Sequence, residues 1–339
     1  MVDNDIIILA IESSCDDTSA SVLKNKTILS NVVAGQDVHK LYGGVVPELA
    51  SRAHQQHILP VVDTAIKKAG IEKRQINAVA FTKGPGLLGS LLVGTSFAKS
   101  FALGMGIPLI DVNHMRGHVL AHFIEDGSAT PEFPFLCLTV SGGHTQIVKV
   151  DSPLEMEIIG TTIDDAAGEA FDKTAKILGL PYPGGPLIDQ YAQEGNPFAY
   201  QFSKPRIEGY NYSFSGLKTS ILYTIQKLEK MDSMIKVNRL NDICASVQHS
   251  IIEILFDKLI KAADDYHITH IAIAGGVSAN SLLRSELKRI GEKKQWKTYI
   301  PKFEYCTDNA AMIGITGYFN YIHGDFADQT VTPSARMSF

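Results

Sequence analysis

The sequence predicts a two-lobed α/β protein, and three observations carry that expectation. At 339 residues the chain is longer than one compact core usually serves. Short apolar runs alternate with segments of helical apolar spacing, the pattern of α/β chains. The opening theme also returns. A strand over 6–11, a polar turn and a strand over 18–23 are matched by a strand over 135–140, the turn Ser141-Gly142-Gly143-His144-Thr145 and a strand over 146–150. The two halves are separated by the break Thr130-Pro131-Glu132-Phe133-Pro134. The echo is one of structure, and it predicts lobes of like topology whose turns face a cleft between them.

The elements follow in order. The continuous apolar run 6–11 suits a buried strand, with further strands over 18–23 and 27–33. Helical spacing covers 54–69. The buried strand 78–81 runs into the turn Thr82-Lys83-Gly84-Pro85-Gly86 and then a helix over 87–103. A strand over 109–112 leads into a helix from about Asn113. In the second lobe an acidic helix start lies over 162–176, a Gly/Pro loop over 181–186, and a polar segment, 196–240, that reads as an insertion. A long helix covers 241–266. The strand 270–274 ends in Gly275-Gly276-Val277-Ser278, and the tail after Thr330 is irregular. The expected division is 1–130 for the first lobe, with 308–339 packing back on it, and 131–307 for the second.

Composition sets limits on function. With 45% hydrophobic and 20% charged residues, the chain reads as an ordinary soluble globular protein. Its start is acidic where a secretory signal needs basic residues, and the run 6–11 is too short for one. The longest apolar stretch, 87–98, falls short of a membrane span. A cytoplasmic protein with no membrane partner is expected. The four cysteines, Cys15, Cys137, Cys244 and Cys306, form no CxxC pair and read as reduced thiols. The net charge of −5 is no general attractant for nucleic acid. Seven basic residues against two acids over 281–302 read either as a solvated helix face or as part of a phosphate-contacting surface.

His114 and His118 stand four apart in a helical segment. One turn separates them, about 6 Å along the axis, so both imidazoles can reach one ion. Imidazole is the commonest zinc ligand and suits iron; a pair of surface or capping histidines is the alternative. His122 extends the stripe, as a third ligand or, by preference, a packing residue. Met115 stands where a zincin peptidase carries its general-base glutamate. Asp308, ahead of an Ala-Ala-Met-Ile run, reads from spacing first as a helix cap, as does Thr307.

Three glycine-rich turns can approach a nucleotide: the 141–145 turn, Pro183-Gly184-Gly185-Pro186, and Gly275-Gly276-Val277-Ser278-Ala279-Asn280. Neither a P-loop nor a GxGxxG motif is present. Among the acids of 164–172, Asp164 and Asp165 read as helix-start acids favoured by the dipole. Asp172 lies deeper and suits a ribose or substrate hydroxyl. Glu12, Asp16 and Asp17 crowd the first turn, which implies a nearby cation or open solvent.

Taken together, several segments are recognisable: Glu12-Ser13-Ser14-Cys15-Asp16-Asp17-Thr18, Gly43-Gly44-Val45-Val46-Pro47-Glu48-Leu49-Ala50-Ser51-Arg52, Gly84-Pro85-Gly86-Leu87 and His114-Met115-Arg116-Gly117-His118. To these add Val140-Ser141-Gly142-Gly143-His144-Thr145, the acidic stretch 164–176, Ser213-Phe214-Ser215-Gly216-Leu217-Lys218 and Ala274-Gly275-Gly276-Val277-Ser278-Ala279-Asn280. In this order the sequence resembles the bacterial tRNA N6-adenosine threonylcarbamoyltransferase family, TsaD, also called Gcp or YgjD. The resemblance implies an actin/Hsp70/sugar-kinase-like fold with a central nucleotide cleft. It implies transfer of threonylcarbamoyl from threonylcarbamoyl-AMP to N6 of the adenosine after the anticodon, in tRNAs reading ANN codons.

The family's metal ligands match His114, His118 and Asp308, which moves Asp308 from cap to ligand. Fe(2+) is favoured and Zn(2+) is the alternative. The family's substrate contacts match Thr139, Val140, Ser141, Gly142, Gly143, Asp172, Gly185, Asp189 and Asn280, with ATP or ADP as a further occupant. Asp16 is the candidate proton acceptor. The resemblance also implies tRNA, a paralogous same-fold subunit and a P-loop ATPase (TsaB- and TsaE-like) as partners. Two departures stand out. Asp17 occupies a position that is Glu in many members, and Pro333-Ser334-Ala335-Arg336-Met337 only loosely matches the family's basic tail. The rival readings are a glycoprotease-type metallopeptidase, a small-molecule kinase of the same fold and a non-catalytic scaffold paralogue.

Overall fold

The computed structural model describes residues 5–205 and 207–339. The acidic start, residues 1–4, lies outside the described residues. The chain forms two compact units. Unit 1 is Met1–Thr130, Ser152–Met156 and Pro301–Phe339; unit 2 is Pro131–Asp151 and Glu157–Ile300. The short stretch Ser152–Met156 and residues 301–307 thus fall in unit 1, where the sequence division put them in the second lobe.

Unit 1 begins with strands β1 (Ile7–Glu12), β2 (Thr18–Lys24) and β3 (Thr27–Ala34), followed by helix α1 (Pro47–Ala69), β4 (Ala78–Gly84), α2 (Leu88–Met105), β5 (Leu109–Asn113) and α3 (His114–Leu120). The sheet order is β3-β2-β1-β4-β5. β2 is antiparallel to β1 and β3, whereas β4 and β5 run parallel to β1. Every residue of β1 is buried, as its unbroken apolar run requires of a central strand.

α2 is longer than the apolar stretch read from sequence. Among the described residues it is the one helix long and apolar enough to cross a membrane by length and composition. Its Leu91, Ala98 and Ala102 are buried, and it packs on α1 and β4.

Unit 2 repeats the plan. Strands β6 (Phe135–Val140), β7 (Thr145–Val150) and β8 (Met156–Thr161) precede helices α4 (Ala167–Leu178), α5 (Gly184–Ala192), α6 (Ser215–Met231), α7 (Ile235–Asn238) and α8 (Leu240–Tyr266). β9 (His270–Ala274), α9 (Ser281–Lys294) and β10 (Lys297–Tyr299) complete it. The sheet order, β8-β7-β6-β9-β10, matches that of unit 1 strand for strand. β7 is antiparallel to β6, and β9 and β10 continue parallel to it. The predicted echo is therefore a duplicated sheet topology. The chain then returns to unit 1 with α10 (Ala310–His323), which lies across β1, β2 and β4.

Three sequence expectations are corrected. The segment 196–240, read as a polar insertion, contributes to the core: Leu217, Ile221 and Ile225 of α6 are buried in unit 2 with Phe214 and Tyr212. The polar residues that suggested an insertion occupy the opposite face of an amphipathic helix. Leu217→Ala is expected to destabilise the protein by about 2–5 kcal/mol, as for a fully buried leucine, measured by urea denaturation; a surface insertion would lose almost nothing. The acids Asp164 and Asp165 are not in the first turn of α4, which starts at Ala167. Asp164 instead accepts hydrogen bonds from Ser213 Oγ and Phe214 N, and Asp165 pairs with Lys173 and Lys218. Gly184, Gly185 and Pro186 are not a loop ahead of a helix but the first turn of α5.

The irregular tail is held to unit 1. Ser334 N donates to Lys83 O, Gly86 N donates to Ala335 O, and Asn113 Nδ2 donates to Ser338 O.

Candidate functional site

Parallel strands end at one edge of their sheet, and ligands in α/β proteins collect there. In unit 1 the parallel strands β1, β4 and β5 deliver Glu12, Thr82 and Asn113 to that edge. Asn113 starts α3: its Oδ1 accepts from Met115 N at 2.9 Å and Arg116 N at 3.2 Å. This cap satisfies two of the N–H groups that a helix start leaves unpaired. It also fixes the residues that follow. His114 and His118 are both buried, with ring centroids 4.8 Å apart and planes at 86°.

Asp308 comes from far along the chain. The cap of α10 is its neighbour Asn309, whose Oδ1 accepts from Met312 N at 3.1 Å, so neither Thr307 nor Asp308 does that work. Gly117 lets α10 approach α3. A Cβ at that position would sit 3.2 Å from Ile313 Cδ1 and 3.3 Å from Met312 Cγ. Asp308 Oδ1 then lies 3.4 Å from His114 Nε2 and 3.3 Å from His118 Nε2. The three ligand atoms fall within 4.8 Å of one another. Two imidazole nitrogens and a carboxylate facing one point form a donor set that suits zinc or iron, and three protein ligands leave room for a substrate oxygen. His122 lies outside this group, buried in the turn that follows α3.

The electrostatics agree with a place built for positive charge. Burial pulls the His114 imidazole down, but Asp308 and Glu12 outweigh it and hold its pKa well above the ordinary histidine value. Burial works against the Asp308 carboxylate, yet His114 and His118 keep it far below the usual range. Burial and the neighbouring Asp16, Asp308 and Glu12 push Asp17 up to about 7. Four carboxylates at one strand edge repel one another unless a cation is shared.

Unit 2 presents the glycine turns at its equivalent edge. The 141–145 turn is closed by Ser141 N donating to His144 O at 2.8 Å and His144 N donating to Ser141 Oγ at 3.1 Å. Gly142 and Gly143 are exposed, and a Cβ on either would meet nothing within 4 Å. Thr139 and Val140 are fully buried strand residues, backbone included.

The polar residues expected at the substrate are already engaged within unit 2. Asp172 Oδ1 accepts from Gly184 N and Gly185 N at 2.8 and 3.2 Å, and burial raises its pKa despite those bonds. Asp189 accepts from Ser281 N and Ser281 Oγ. Asn280 caps α9 through Leu283 N and donates to Gln248 Oε1. These bonds set the positions of the α5 and α9 starts and engage N–H groups that the helix starts would otherwise leave unpaired.

Of the basic residues over 281–302, Arg289, Lys294, Lys297 and Lys302 pair with Glu286, Asp264, Glu132 and Asp126. Those four read as surface cations neutralised by neighbouring carboxylates. Asp16 sits part-buried in the turn after β1. Sequence reasoning placed Glu12 among the crowding acids but missed its contact with His114. A carboxylate closing an entirely apolar strand was the available signal.

The family model for TsaD, tRNA N6-adenosine threonylcarbamoyltransferase, matches residues 27–315. Relatives carrying that name include those of Christiangramia forsetii, 63% identical over all of both chains, and Porphyromonas gingivalis, 60% identical over 98% of this chain and 99% of that one. The relative from Thermosipho africanus is 50% identical over 96% and 98%. Among solved structures, full-length HypF in its phosphate- and nucleotide-bound form superposes with a TM-score of 0.61 at 14% identity, over 95% of this chain and 47% of that one. Component A of the Acidaminococcus fermentans (R)-2-hydroxyglutaryl-CoA dehydratase gives 0.53 at 14% identity, over 94% and 99%. These distant structures establish the shared fold, the actin/Hsp70/sugar-kinase type. By sequence the chain belongs to the tRNA N6-adenosine threonylcarbamoyltransferase (TsaD) family.

Proposed function

We propose that this chain transfers the threonylcarbamoyl group of threonylcarbamoyl-AMP to N6 of the adenosine 3′ to the anticodon in tRNAs reading ANN codons, in the cytoplasm. The observation that carries the reading is the convergence of His114, His118 and Asp308 on one point in a chain of this family. A divalent ion there, Fe(2+) by preference and Zn(2+) as the alternative, supplies Lewis acidity toward a donor carbonyl or phosphate oxygen.

The remaining chemistry falls to the chain itself. The exocyclic amine of adenine is a weak nucleophile because its lone pair is delocalised, so the donor must carry a good leaving group, and a carbamoyl–AMP anhydride does. The N6–carbon bond forms, the carbon–oxygen bond to phosphate breaks, and AMP leaves. The 141–143 turn offers the backbone N–H groups of Gly142 and Gly143 to the AMP phosphate. Asp172, Gly185, Asp189 and Asn280 shape the helix starts that hold its ribose, in a site that also admits ATP or ADP. Asp16 accepts the amine proton. tRNA, a same-fold paralogue and a P-loop ATPase complete the working assembly, and a separate synthase makes the adenylate.

The test is nucleoside mass spectrometry of tRNA after incubation with the purified chain, its partners and threonylcarbamoyl-AMP. Modified adenosine with matching AMP release supports the reading. Unmodified tRNA overturns it, as would metal-dependent cleavage of peptides or ATP-dependent phosphorylation of a small molecule by the same preparation. Against the peptidase, position 115 is a buried methionine with no base to offer.

A further inference from the structure

We infer that Glu12 is the positioning residue of the metal centre, holding His114 so that Nε2 and not Nδ1 faces the ion. The inference rests on the metal site proposed above and adds a residue outside the ligand set. Glu12 closes β1 with its side chain fully buried. A buried carboxylate must find hydrogen-bond donors or charge, because an unpaired one is costly. Its Oε1 accepts from Ser14 N at 2.5 Å. Its Oε2 accepts from Thr82 Oγ1 and lies 3.2 Å from His114 Nδ1.

These partners determine the histidine's orientation. The backbone N–H of Ser14 can only donate, so it fixes which carboxylate oxygen faces the turn. The other oxygen faces His114 and can only accept from it. Nδ1 therefore carries a proton, and the Nε2 lone pair points to the side where His118 and Asp308 converge. The carboxylate also makes the imidazole a more basic ligand. His118 has no such support: its Nδ1 is buried without a hydrogen-bond partner among the described residues. Ser14 Oγ, 3.1 Å from His114 Nδ1, is the competing candidate, but a hydroxyl can donate as well as accept and dictates no tautomer.

Glu12→Gln separates the two. Ser14 N still requires the side-chain oxygen, so the new NH2 group turns toward His114 and donates to Nδ1. That favours the Nε2–H tautomer, which cannot bind a metal through Nε2. Zinc affinity by chelator competition is expected to fall about 10- to 100-fold in Glu12→Gln and to stay near wild type in Ser14→Ala. Unchanged affinity in Glu12→Gln, or the loss appearing in Ser14→Ala instead, overturns the inference.

Nitrogen-15 NMR of the zinc-loaded wild-type protein needs no variant. His114 is expected to show a zinc-bound Nε2 and a slowly exchanging Nδ1 proton; a zinc-bound Nδ1 overturns the assignment even if Glu12→Gln does not fold. Wild-type protein that takes up no zinc contradicts the metal site itself, a separate outcome from wild type and Glu12→Gln binding zinc equally.

Discussion

The His118→Ala protein is expected to purify folded, to retain no metal, and to modify tRNA slower than wild type by about a thousandfold or more. Three ligand atoms within 4.8 Å leave no substitute for the one removed. A Lewis acid supplies several kcal/mol of transition-state stabilisation, and about 4 kcal/mol corresponds to a thousandfold. The imidazole is buried, so its removal leaves a small cavity beside α10, near the edge where β1, β4 and β5 end. Circular dichroism and the thermal midpoint separate misfolding from loss of function. His122→Ala is the control: it deletes another buried imidazole one turn on, outside the ligand group, and is expected to keep its metal. A His118→Ala protein that retains metal would remove His118 from the ligand set.

The second large effect is expected in unit 2. Gly275 joins β9 to the turn before α9 with φ +85° and ψ 168°. That backbone region is almost exclusive to glycine and costs other residues about 1–3 kcal/mol. The space is closed as well: a Cβ would sit 2.5 Å from Val140 O and 2.9 Å from Val140 C. Both atoms belong to the backbone of β6, which pairs with β9 up to Thr139 and Ala274. No side chain can swing aside, so relief requires the two strands to part where the 141–143 turn begins. Strain and overpacking together predict a loss of about 2–5 kcal/mol for Gly275→Ala. The displaced turn predicts a raised KM for the adenylate donor. Gly276→Ala is the comparison, since a Cβ there meets nothing within 4 Å. Equal denaturation midpoints for the two variants would contradict the packing argument.

The strands were the most legible part of the chain, because a central strand of a covered sheet must be apolar on both faces and β1, β4, β6 and β9 are. The histidine pair was legible because a helix repeats locally. Asp308 was not: it is 190 residues from His118, and only the packing of α10 on α3 through Gly117 brings it there. Spacing suggested a cap, and a cap does exist one residue later at Asn309. Glu12 meets His114 through parallel pairing of strands far apart in sequence, which no local pattern encodes. Asp164 and Asp165 were misassigned because hydrogen bonds to Ser213 and Phe214 and ion pairs to two lysines outcompete a helix dipole. In unit 2 the glycine turns were visible from composition. That Asp172, Asp189 and Asn280 spend bonds on helix starts follows only from tertiary structure.

The central claim is that the donor is activated at the point shared by His114, His118 and Asp308. Chelator-stripped protein, assayed anaerobically with its partners, tRNA and threonylcarbamoyl-AMP while Fe(2+) is titrated in, tests it most directly. Modified adenosine should be absent at the start, rise in proportion to added metal and level off at one ion per chain, with His118→Ala flat throughout. Full modification by the metal-free protein, or recovery in His118→Ala, would contradict the account.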